Sequence, residues 1–135
     1  MGVCYWLPAV LHHHPNYRDI PVKPVSNYHP KYTKRGYSFR EFGRKVKHID
    51  ESEAYEEDEA ILLRNRDGKY TLLAATGCSC WDGDWEGWTN ISVAELIKLG
   101  KAWAKDYGAA GTLGKWIETK IEEANASFNE STSRE

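Results

Sequence analysis

The feature that most restricts the fold lies in the middle of the chain. Ala60-Ile61-Leu62-Leu63 and Tyr70-Thr71-Leu72-Leu73-Ala74-Ala75 are apolar runs on either side of Asp67-Gly68. An Asp-Gly pair favours the positive φ that a tight hairpin turn needs, so residues 60–76 read as an antiparallel β-hairpin. Apolar residues at consecutive positions place that hairpin centrally in its sheet rather than at an exposed edge.

A hairpin alone is not a stable domain, and the sequence supplies helices to cover it. Asn90 or Ser92 can cap a helix at about 93–107, with Glu95 three residues after Ser92 as a capping-box partner. Val93, Leu96, Ile97, Gly100, Trp103 and Tyr107 share one face of it, and Gly108 follows as a stop signal. Thr112 is placed to cap a second helix at about 113–125, with Trp116, Ile117, Ile121 and Ala124 inward. The expectation is an α+β fold: a small antiparallel sheet with a central hairpin and two C-terminal helices packed on one face.

The chain has 135 residues, which suits one domain, and its 41% hydrophobic content is enough for a core. All five prolines fall at positions 8 to 30, so residues 1–35 read as an extended or wrapping segment, with a short strand at 3–7. Residues 36–125 form the domain, and 126–135 a frayed polar tail. Tyr37, Phe39 and Phe42, then Val46 and Ile49, alternate with polar residues as in a half-buried strand bulged at Gly43. The acidic run 51–59 reads as a loop or solvated edge.

Residues 1–50 carry nine Lys/Arg against three Asp/Glu, and residues 51–68 carry seven Asp/Glu against two Lys/Arg. The simplest expectation is that these opposite charges neutralise each other on one surface. A formal net charge of -2 disfavours nucleic acid as a partner, although Arg35, Arg40, Arg44, Lys45 and Lys47 among aromatics keep a basic binding segment before Asp50 as an alternative. No membrane-spanning run and no secretory signal are read in the sequence, and three cysteines point to a reducing compartment.

Residues 77–88 stand apart, with Cys78, Cys80, Trp81, Asp82, Asp84, Trp85, Glu86 and Trp88 among glycines. Cys78 and Cys80 could hold zinc, but their spacing is tighter than C-x₂₋₄-C, and Cys4 and a histidine would have to complete the set. Asp82, Asp84 and Glu86 imitate the start of a calcium loop that fails at Val93, where a bidentate glutamate belongs. The same carboxylates disfavour a reactive thiolate. His12-His13-His14 reads as a solvated triplet. No catalytic motif is present and no cofactor is expected, with zinc as the alternative.

A strand ending in Gly77-Cys78-Ser79-Cys80-Trp81, followed by an acidic, aromatic loop and a helix, resembles a pattern in small uncharacterised proteins of tailed bacteriophages. The resemblance spans residues 60–103. It implies a bacterial cytoplasmic setting during infection and assigns no chemistry. The expected function is that of a non-catalytic accessory protein binding a host or defence-system macromolecule. Its docking surface would be Trp81, Asp82, Asp84, Trp85, Glu86 and Trp88, because tryptophan anchors dominate many interfaces. A homo-oligomer is compatible with this composition. The alternatives are a zinc-stabilised domain or minor enzyme using Cys78 and Cys80, and a nucleic-acid binder.

Overall fold

The computed structural model describes residues 23–77 and 84–133, with side chains after Lys120 described only at Glu123. Among these residues the order is β1 (Lys23–Tyr28), β2 (Lys31–Thr33), β3 (Gly36–Ser38), a 3₁₀ turn (Arg40–Phe42), β4 (Arg44–Asp50), β5 (Glu57–Arg64), β6 (Tyr70–Gly77), β7 (Trp85–Ile91), α1 (Val93–Trp103) and α2 (Gly108–Ser133). An antiparallel sheet runs in the order β1-β7-β6-β5-β4, and β2 pairs with β3 separately. The fold is α+β, as the sequence predicts.

The expected hairpin is β5–β6, in register from Glu57 opposite Gly77 to Arg64 opposite Tyr70. Asn65 N–H donates to Lys69 O at 2.7 Å and Gly68 N–H to Asn65 O at 3.1 Å, with Gly68 at φ +86°. This is a three-residue loop closed by a glycine in the left-handed region.

Consecutive apolar residues divide between two cores. Ala60, Leu62, Leu72 and Ala74 face the helices, where Leu96, Leu99, Trp103, Ala109, Leu113 and Ile117 meet them. Ile61, Leu63, Leu73 and Ala75 face the other way, against Phe39 and Trp85 and the partly buried Val25, Tyr28, Tyr37 and Phe42. The chain between β1 and β4 therefore covers the sheet face that the helices leave bare.

Several boundaries differ from the sequence expectation. Residues 37–42 form the end of a short hairpin strand and a 3₁₀ turn rather than one strand, and this lets Phe39 drop into the second core, 3% exposed. Glu57, Asp58 and Glu59 belong to β5 rather than to an acidic loop. Residues from the proline-rich start supply an edge strand, with Pro24 opposite Trp88 and Tyr28 opposite Trp85.

Ser92 caps α1 as predicted, accepting from Glu95 N–H at 3.2 Å. Asn90 instead takes φ +65° where the β6–β7 register shifts. However, α1 stops at Trp103, and α2 starts at Gly108 rather than Leu113. The cause is a cap from outside the helix: both oxygens of Asp58, on β5, accept from Ala109 N–H at 3.1 and 3.2 Å. Thr112 lies inside α2, bonded to Gly108 O and to the Glu51 carboxylate. The helical backbone continues to Ser133.

Candidate functional site

Of the residues expected to form a docking loop, Trp85 and Trp88 turn to opposite faces of β7. Trp85 is the first residue of β7 and is 0% exposed, seated edge-on against Phe39 at 5.1 Å and Tyr37 at 5.9 Å between ring centres. It is therefore unavailable as an exposed anchor. Alternation along β7 turns it into the second core, a direction fixed once Tyr28 pairs opposite it. Trp88 is partly buried and packs on the helix-side core. Asp84 is half-buried, with His29 Nε2 2.7 Å from its carboxylate. Glu86 is half-buried opposite Ala74. Trp81, Asp82, Cys78 and Cys80 lie outside the described residues, as do Cys4, the strand expected at 3–7 and His12, His13 and His14.

The structure assembles a different site. Arg40 lies in the 3₁₀ turn, Arg44 begins β4, Arg64 ends β5 and Arg66 follows in the hairpin loop. Together with Gly43, Asn65 and Gly68, they line an open cleft of about 470 Å³. Gly43 makes the crossing feasible. Its φ is +92°, and a Cβ there would come within 2.0 Å of Arg64 O, so only glycine lets the strands approach this closely. Behind the arginines, the fully buried Thr71 hydroxyl donates to Asn65 Oδ1 at 2.9 Å and lies 2.7 Å from Thr89 Oγ1.

The cross-strand register is unusual. Arg44 faces Arg64, and at the other end of the same pair Asp50 faces Glu59. Like charges directly opposite each other on a sheet are destabilising. Among the described residues, no Lys or Arg of the basic segment is ion-paired with the acidic one, so the expected neutralisation is not seen there. Along β5 the two pairs lie about 17 Å apart, well beyond the Debye length of about 8 Å in physiological salt. The ion pairs among the described residues are His29–Asp84, His48–Glu59 and Lys120–Glu123, with no arginine among them.

At the acidic end, Glu59 is 5% exposed and sits 2.8 Å from His48 Nε2. Burial first, then a hydrogen bond to Glu59 and the charges of Glu59 and Asp50, push the Glu57 carboxyl up to about 8, against a lowering contribution from Ser52. Burial, with Glu57 and Glu59 nearby, also raises the Tyr37 hydroxyl. Among the described residues no group of three His, Cys, Asp or Glu is arranged to hold a metal ion. Nor is any helix there long and apolar enough to cross a membrane.

Comparison with known protein families, with curated proteins and with solved structures finds no match to the chain. Sequence reasoning noticed Arg40 and Arg44 as part of a basic segment but missed Arg64 and Arg66. The available signal was the hairpin itself: it reverses the chain at Arg66, which sets two arginines at one end of the sheet.

Proposed function

We propose that the protein is a non-catalytic binding protein that captures a phosphate-bearing partner in the arginine cleft. The carrying observation is the Arg44–Arg64 register, with Arg40 and Arg66 completing a cluster that no carboxylate neutralises within ion-pair distance among the described residues. Guanidinium groups present planar donor forks that match phosphate oxygens in pairs, and a bound dianion would relieve the repulsion between them. The net charge of -2 does not weigh against this, because the Asp50–Glu59 end of the sheet is screened from the cleft. The resemblance to tailed-phage proteins would set this capture in a bacterial host, with a host or defence-system component as the source of the phosphates.

Thermal unfolding at constant ionic strength, with and without inorganic pyrophosphate, tests the proposal. The wild-type midpoint should rise with ligand concentration, and the Arg40→Ala/Arg66→Ala double variant should not respond. A wild-type protein that is equally indifferent would end this reading.

A further inference from the structure

The cleft does not stop at the arginines. It continues into a second hollow of about 550 Å³ that shares Arg40, Gly43, Asn65 and Arg66 with the first and is otherwise lined by Glu41, Phe42, Asp67 and Thr89. The two overlap in one trough whose lining changes along its length, from four arginines to two acidic residues, a threonine and a phenylalanine. We infer that this trough takes a nucleotide, with its phosphate among the arginines and its nucleoside between Glu41, Phe42, Asp67 and Thr89. This inference rests on the anion-binding reading of the arginine end and adds the identity of the ligand's other half.

Asp67 is held by a group outside the trough, its Oδ1 accepting from Lys69 N–H at 3.0 Å, which leaves its second oxygen to accept from ligand donors. The Glu41 carboxylate lies near the Tyr28 hydroxyl, which burial and Glu41 together raise. Asn65 stands where the halves meet. Its carbonyl oxygen is engaged by Thr71, which leaves its amide N–H groups to donate to an acceptor on the ligand. A nucleoside provides matching chemistry: ribose hydroxyls and base N–H groups donate to carboxylates, and a base stacks or packs on a phenyl ring. The volumes fall in the range of small-molecule sites.

The same gradient disfavours a long polyanion. Its next phosphates would leave the arginines and meet Glu41 and Asp67. A free nucleotide places all its negative charge at the basic end and its hydrogen-bond donors at the acidic end.

Titration calorimetry on the full chain, with GMP, guanosine and inorganic phosphate as probes, separates the possibilities. GMP and inorganic phosphate carry similar charge, so their ratio isolates the nucleoside half. GMP should bind at least tenfold more tightly than inorganic phosphate. Arg40→Ala/Arg66→Ala should abolish both, and Glu41→Gln/Asp67→Asn should reduce the GMP-to-phosphate preference at least fivefold. The second variant keeps an acceptor for Lys69 N–H, and an unchanged melting temperature would verify its fold. If phosphate binds as well as GMP and the carboxamide variant leaves the ratio alone, the nucleotide inference is overturned while the arginine site stands. GMP binding that survives loss of Arg40 and Arg66 overturns the inference by placing the ligand elsewhere. If neither probe binds, both readings fall.

Discussion

Arg44 and Arg64 lie directly opposite each other across β4 and β5, a like-charge pair built into the register of the sheet. Cross-strand pairs of this kind act against folding by a few tenths to about 1 kcal/mol. Arg44→Gln should therefore raise the stability of the ligand-free protein by about 0.5 kcal/mol while weakening anion binding. Urea unfolding with and without pyrophosphate measures both effects. A substitution that lowered stability in the absence of anion would contradict the repulsive account.

Glu57 gives the protein a pH dependence of known sign. Its carboxyl is raised from an ordinary 4.5 to about 8 by burial and by Glu59, so the folded chain holds this proton more tightly than the unfolded chain. The contribution is fully present below about 4.5 and is lost as pH rises towards about 8. Urea midpoints should fall across that interval, and Glu57→Gln should flatten the fall. An identical slope in the variant would remove Glu57 as its source.

Asp58 caps a helix that begins 50 residues later in the chain. Its carboxyl is raised by burial, offset by the Ala109 N–H bond and raised further by the charges of Glu51, Asp50 and Glu56. The charge is thus a cost and the hydrogen bond a gain. Asp58→Ala should be less stable than Asp58→Asn by about 1 kcal/mol, because asparagine keeps an acceptor for Ala109 N–H. Equal stabilities would mean that the cap contributes nothing.

Trp85→Ala should destabilise the protein by about 3–5 kcal/mol, the usual cost of emptying a buried aromatic site. A loss of binding in that variant would have to be read against its folded fraction. A variant that melted with the wild type would contradict the burial of this side chain.

Gly43→Ala combines a strained φ with a Cβ driven into the Arg64 carbonyl. It should cost more than 1 kcal/mol and also weaken anion binding by displacing Arg64. Binding measured at a temperature where the variant is fully folded separates the two effects.

The elements legible in the sequence are those whose signals are local. Asp67-Gly68 between apolar runs specified the hairpin, and Ser92 before Val93 specified the start of α1. The start of α2 was hidden because its cap, Asp58, comes from a distant strand. Trp85 stood in an acidic, glycine-rich stretch that reads as a loop, and only pairing with Tyr28 turns it inward. The arginine site was half-visible for a related reason. Arg40 and Arg44 are neighbours in sequence, but Arg64 and Arg66 join them only when β4 pairs with β5. Counting charge by segment suggested cancellation, whereas the register sets like against like.

The sheet's segregated charge also has a consequence at a distance. With Arg44 and Arg64 at one end of β4 and β5 and Asp50 and Glu59 at the other, this strand pair carries a dipole along its length. An approaching anion exerts a torque on that dipole before any contact forms and turns the arginine end forward. The orientational search that slows most encounters would be shortened, and the association rate would fall steeply with added salt even though the chain as a whole is negatively charged.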